Sequence, residues 1–389
     1  MESKGMIERE LEELLVEMVR IPSPNPPGGE AEMADFVADY LEGAGLEVSR
    51  VPLAPGRESV VGRLPGREPG GLVLCGHLDT VAIQEESWSV PPLAGHKEGG
   101  RVYGRGAADM KAGVAGLLLA ARWAAAHSKP PKKFLVLALT ADEEQGYHGA
   151  RTLVEGGHLD DAEFLLIAEP SDGTVYLGQK GELWIKAVFQ GMAAHGSVPQ
   201  LGVNAALPAA EFALEAVEGI RALPPGPRGR TSVNLGRIAG GWQVNVVPDR
   251  AEVELDVRTA STEHRDLVLG LVEELGRRAA ANRGGSFSYE LTNDRAPIET
   301  QEDAPYLREL LAAVMESLGE APKTGIAPYS TDAVEIVPRL GIPLVIYGPG
   351  SIAQAHRPDE YVELSSLSAF WRAITRFLEL SLFDKSPDN

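Results

Sequence analysis

His77 and Asp79 stand two residues apart at the end of an apolar run, in Gly71-Leu-Val-Leu-Cys-Gly-His-Leu-Asp-Thr-Val81. Residues two apart in an extended chain share one face. A histidine with a carboxylate beside it suits metal binding: one ring nitrogen ligates, and the carboxylate holds the other N–H and fixes the tautomer. A hydrogen-bonded pair closing a strand would look the same, so the rest of the chain decides. Asp109 follows in Gly104-Arg-Gly-Ala-Ala-Asp-Met-Lys-Ala-Gly113, Glu143 and Glu144 after the apolar run 134–139, Glu169 after 164–168, and His356 in Ala355-His-Arg-Pro-Asp359. Two histidines with carboxylates and no thiolate make a ligand set for zinc, cobalt or manganese. If one carboxylate bridges, two ions lie about 3.5–4 Å apart and share a hydroxide poised to attack a carbonyl. Neighbours at a strand end, Glu143 and Glu144 project differently, so one can ligate while the other stands off as general base.

The elements that must position these groups alternate. Amphipathic helical patterns at 7–18 and 30–43, buried-type strands at 72–75, 134–139 and 164–168, and an apolar helix over 114–126 predict an α/β fold. Its sheet should be mixed but mostly parallel, flanked by helices on both faces, with ligands beyond the C-terminal ends of the strands. Asp109 is expected at or near the N-cap of the apolar helix. From Gly181 the pattern becomes strand 182–190, helix 204–220, a hairpin over 232–258, helix 264–282 and strand 286–291. That is β-α-β-β-α-β, a ferredoxin-like α+β insertion with an antiparallel sheet. Helix 306–318, strand 343–347 and a final helix 364–382 then complete the first body. The expected division is 1–180 with 296–389 for the metal-binding catalytic domain and 181–295 for the insert.

Composition narrows the function classes. The 389-residue chain carries a net charge of −20, which disfavours nucleic-acid phosphates and anionic membranes. Its single cysteine, Cys75, forbids an intrachain disulfide and a cysteine-based zinc site. The N-terminal segment reads as a Glu-rich amphipathic helix rather than a secretion signal, so a cytoplasmic location is expected. There is no G-x-S-x-G elbow and no P-loop, and the position of a third dinucleotide-loop glycine is taken by Asp109.

Gly76-His-Leu-Asp-Thr, Gly106-Ala-Ala-Asp-Met-Lys-Ala-Gly, Ala141-Asp-Glu-Glu-Gln-Gly, Ala194-His-Gly-Ser and Gly348-Pro-Gly-Ser-Ile-Ala-Gln-Ala-His-Arg-Pro-Asp-Glu-Tyr stand in this order along the chain. Together they resemble the dinuclear metallohydrolases of peptidase family M20. The resemblance implies two divalent ions, zinc or cobalt first and manganese next. It implies His77, Asp109 and Glu169 on one ion, and Asp109, Glu144 and His356 on the other, with Asp109 as the bridge. Asp79 would orient His77, and Glu143 would carry the proton from the bridging water to the leaving amine. In the insert it assigns His195 to the oxyanion, Asn245 to substrate contact and Arg258 to a substrate carboxylate, and makes the insert a lid and homodimerisation element.

Glu169, where some aminopeptidase-type relatives have aspartate, points to deacylases and carboxypeptidases. The Gly348–Tyr361 stretch is most similar to N-acetylornithine deacetylases. The segment Ala327-Pro-Tyr-Ser-Thr-Asp-Ala333 departs from them and is similar to desuccinylase and peptidase branches. N-acetyl-L-ornithine is therefore the first expected substrate, with succinyl-diaminopimelate or a short peptide as alternatives. A non-catalytic ligand-binding homologue should have lost ligands, and all five matched positions are intact.

Overall fold

The computed structural model describes residues 2–226 and 229–384. The chain forms two compact units, one made of residues up to 178 with 299–325 and 331 onward, the other of 179–298 with 326–330.

The first unit is built on a nine-stranded mixed sheet. Glu47–Ala54 and Arg57–Leu64 form an antiparallel hairpin at one edge, followed in order by Phe134–Thr140, Gly71–His77, Ala162–Ile167, Leu344–Ile346, Val175–Gln179 and Ile298–Glu299, while the ninth strand, Thr324–Ala327, pairs with Val175–Gln179 off this path. Gly71–His77 runs parallel to both neighbours, and Leu344–Ile346 is parallel to Ala162–Ile167. Every residue of Gly71–His77 and of Phe134–Thr140 is buried, as central strands covered by helices on both faces must be. The expected mixed, mostly parallel α/β sheet is thus the observed one. Helix Ala112–Ala125 is almost wholly buried and packs against helices Glu2–Arg20 and Leu364–Leu382. Gly113 allows this helix to reach the strand end that carries Glu169: a Cβ there would lie 2.2 Å from the Ala168 carbonyl oxygen.

Asp109 does not cap that helix. Residues Ala107–Lys111 form a wide turn ahead of it, Asp109 has φ −119° and ψ 96°, and the N-cap position is Lys111 with no side-chain capping bond. The Asp109 carboxylate faces two histidines instead, and the turn's free N–H groups are taken up by Glu360 from a distant segment.

The second unit has a four-stranded antiparallel sheet in the order Ser232–Gly240, Arg250–Thr259, Gly181–Gln190, Ser286–Arg295, with helices Ala206–Ala222 and Thr262–Arg283 between them in sequence. Burial alternates along Arg250–Thr259 and Ser286–Arg295, the mark of a sheet with one packed face. Phe189, Phe212 and Phe287 meet in its core with ring centroids 5.2–5.7 Å apart. Residues 326–330, expected with the first body, cluster here, where the Lys180 N–H donates to the Ala327 carbonyl at 3.0 Å. Among the described residues, no helix is long and apolar enough to cross a membrane.

Candidate metal centre

Beyond the parallel strand ends, five side chains converge in two groups that share one member. His77 Nε2 lies 3.1 Å from Asp109 Oδ1 and 3.6 Å from Glu169 Oε1. His356 Nε2 lies 3.3 Å from Asp109 Oδ2 and 3.1 Å from Glu144 Oε2. In each group of three, the donor atoms lie within 4.8 Å of one another. Asp109 therefore gives one oxygen to each group, the arrangement of a bridging carboxylate.

The electrostatics call for cations. Burial pushes the Glu169 carboxyl well up, and the nearby Asp109 charge adds to it; Glu143 is pushed well up by burial too. Burial would raise Asp109 as well, but hydrogen bonds from His356 and His77 outweigh it and hold it low. The same contact with Asp109, and then with Glu144, pushes His356 up to about 10. Among the described residues, Glu144 Oε1 is buried without a hydrogen-bond partner. An orphaned buried carboxylate oxygen among converging histidine nitrogens and carboxylates is a donor set for divalent cations, so the residues fit two such ions.

The support around the ligands is specific. His77 Nδ1 is 2.9 Å from the Asp79 backbone carbonyl and 3.6 Å from the Asp79 carboxylate, so the carbonyl is the nearer partner of the ring. The Asp79 carboxylate accepts the N–H groups of Glu143 and Glu144 at 3.1 and 3.2 Å. Lys111, fully buried, donates to the carbonyls of Met18 and Ile21, and burial lowers it to about 7.

Glu360 was not singled out from the sequence. Its carboxylate accepts the N–H groups of Gly106, Ala108 and Asp109 at 2.8–3.1 Å and pairs with buried Arg105 at 2.6 Å. Glu360→Ala should cost about 3–5 kcal/mol of folding stability, because Arg105 would stay buried without its counter-charge. In urea titrations of both variants, Glu363→Ala, which removes the exposed partner of Arg101, should leave the midpoint close to that of the native chain while Glu360→Ala lowers it.

The three remaining sequence-derived residues lie in the second unit. His195 and Asn245 are brought side by side: His195 bridges to Val246, and the Gly196 N–H donates to the Asn245 carbonyl at 2.8 Å. His195 is exposed, with Nδ1 accepting from the Ser197 N–H at 3.1 Å. Arg258, next to last in the Arg250–Thr259 strand, forms ion pairs with Asp256 and Glu182 at 2.8 and 3.2 Å.

Residues 73–380 match the family model of the peptidase family M20/M25/M40. The chain belongs to this family. As an M20 member it is a metallohydrolase acting on amide bonds, in a family that binds two metal ions. It is 26% identical to a protein of Staphylococcus aureus (strain MSSA476) named probable succinyl-diaminopimelate desuccinylase, over 96% of this chain and 98% of the relative. It is 31% identical to an acetylornithine deacetylase of Vibrio atlanticus over 87% of this chain and 88% of the relative. The crystal structure of a tripeptidase from Staphylococcus aureus superposes with a TM-score of 0.80 at 24% identity, covering 96% of this chain and 98% of that one. That likeness speaks for the M20 fold alone.

Proposed function

We propose that this M20 enzyme hydrolyses the amide of an N-acyl amino acid, with N-acetyl-L-ornithine as its preferred substrate. The observation that carries the reading is the Asp109 carboxylate shared by both ligand groups, with Glu143 buried outside them and within electrostatic reach of His77 and Glu169. His77, Asp109 and Glu169 would hold one divalent ion, and Asp109, Glu144 and His356 the other. Two such ions supply Lewis acidity to the scissile carbonyl and make water nucleophilic near neutral pH.

The chain's own residues do the rest. Glu143 takes a proton from the attacking water and returns it to the leaving amine nitrogen; burial raises its proton affinity, which suits a group that must hold a proton between two steps. Asp79 fixes both ends of the arrangement, His77 through its carbonyl and the Glu143 backbone through its carboxylate. His195 is assigned to the developing oxyanion, Asn245 to substrate contact and Arg258, a planar fork, to the substrate carboxylate.

Amine release should be measured for the cobalt- and zinc-loaded protein on N-acetyl-L-ornithine, N-succinyl-diaminopimelate, simple N-acetyl amino acids and dipeptides. The expected result is the highest kcat/KM on N-acetyl-L-ornithine. Preference for the succinyl compound, or turnover of dipeptides alone, would move the specificity to another branch of M20. Silence across the panel would favour a ligand-binding homologue.

The second unit is proposed to be the lid and the dimer contact. Ser232–Gly240 is an edge strand bearing exposed Ile238, the kind of edge that pairs with a second chain. Light scattering after size exclusion should give a dimer for the native chain and a monomer for Ile238→Lys; a native monomer would overturn this part.

A further inference from the structure

Asn25 is 2% exposed in the loop after the first helix, and its backbone is laced to the end of the His77 strand. Its N–H donates to the Thr80 carbonyl at 2.7 Å, and the Thr80 N–H donates to the Ser23 carbonyl at 2.9 Å. Its side chain lies between two buried carboxylates. Nδ2 donates to Asp79 Oδ2 and to Asp142 Oδ1, each at 2.9 Å, so both amide hydrogens are used.

Those two carboxylates decide where the Glu143–Glu144 pair begins. Asp79 accepts both of the pair's N–H groups, and Asp142 is the residue before it. Asp142 has φ +68°, a left-handed conformation that an L-residue keeps only when its surroundings hold it. They do so on every side. Asp142 Oδ1 also accepts from Arg57 Nη2 at 2.8 Å, Oδ2 lies 2.5 Å from His148 Nδ1, and the Asp142 N–H donates to Glu30 Oε1 at 3.2 Å. Fully buried Glu30 in turn holds the Arg57 fork through both of its oxygens. Gly28 leaves room for that fork, since a Cβ there would lie 2.4 Å from Arg57 Nε.

We propose that Asn25 is a positioning residue for the Glu143–Glu144 pair, splinting Asp79 to Asp142 so that the turn after the Phe134–Thr140 strand presents both glutamates in fixed directions. This rests on the reading of Glu143 as proton carrier and Glu144 as ligand. The chemistry of the position is selective. A neutral group with two donors satisfies two carboxylates at once; aspartate would add a third negative charge, and glutamine would carry its amide one methylene too far.

The test uses the full chain with Asn25→Ala, Asn25→Asp and Asp142→Gly, reading kcat, KM, melting temperature and Co²⁺ affinity by calorimetric titration. Phe377→Leu, a core change far from the network in sequence, serves as the control for plain destabilisation. Asn25→Ala should lose about 10–100-fold in kcat and about tenfold in Co²⁺ affinity, with KM within about threefold of wild type. Asn25→Asp should lose at least as much, and Phe377→Leu should keep both quantities. Asp142→Gly relieves the left-handed backbone while deleting the side-chain contacts, so it should show the same loss; it also decides the matter if Asn25→Ala does not fold.

A folded Asn25→Ala protein with wild-type kcat and Co²⁺ affinity would overturn the proposal, as would equal losses in Phe377→Leu. If the wild-type protein turns over nothing in the substrate panel, the proposed function fails. The Co²⁺ titration then decides this inference alone, weakened affinity sustaining it and unchanged affinity sinking it.

Discussion

Cobalt-loaded Glu143→Ala protein should turn over its best substrate about 10²–10⁴-fold more slowly than the native chain, with KM and metal content unchanged. The expectation follows from where Glu143 stands. It belongs to neither group of converging ligands, it is 9% exposed, and its backbone N–H is fixed by Asp79 Oδ1 at 3.1 Å. Removing its carboxylate therefore leaves the proposed metal ligands in place and takes away only the group proposed to move the proton. An interaction used in the transition state alone lowers kcat and kcat/KM together, which is the kinetic signature to look for. Glu143→Gln keeps the shape and should be nearly as slow, because an amide cannot accept the proton. Near-normal turnover by Glu143→Ala with both ions bound would sink the mechanism.

The strands that matter were legible because they are buried on both faces. Continuous apolar runs ending in His77, Glu143 and Glu169 can be read directly, and the final helix falls where its periodicity put it, at Leu364–Leu382. The partner strand Arg57–Leu64 was not foreseen: its buried stretch is short and bounded by Arg57, Glu58 and Arg63, which give it no clean period. Asp109 is expected from the sequence at or near the helix N-cap, a role compatible with ligation; it stands two residues ahead of the N-cap position, and the N–H groups of its turn are taken up from outside by Glu360. That acid stood in plain view beside Asp359, masked by the histidine that made the motif conspicuous. Asn25, Glu30 and Arg57 were beyond sequence reasoning altogether. Asn25 and Asp142 are 117 residues apart, and only the folded sheet reveals that they share a hydrogen bond. Side chains proposed to touch the ions carry a recognisable type and spacing, whereas those that position them need only the right donor in the right place.

Metal content should separate the two ligand groups. The native chain is expected to retain about two ions after dialysis, His356→Ala about one, and Asp109→Ala essentially none, as read by elemental analysis. The asymmetry comes from Asp109 alone. Its Oδ1 lies 3.1 Å from His77 and its Oδ2 3.3 Å from His356, so one substitution removes a ligand from both groups and leaves each with a single histidine and a single glutamate. Two protein ligands are fewer than the three that catalytic zinc sites use, and such a pair should lose its ion on dialysis. In His356→Ala the group of His77, Asp109 and Glu169 keeps all three members. That protein should hold one ion and fall well below native turnover. Because Asp109 is also the counter-charge to His77 and His356, the melting temperature of Asp109→Ala is read beside its metal content, so that lost ligation is told from collapse. Two ions retained by Asp109→Ala, or none retained by His356→Ala, would show that this carboxylate does not bridge, and the pairing of ligands drawn from the geometry would have to be redrawn.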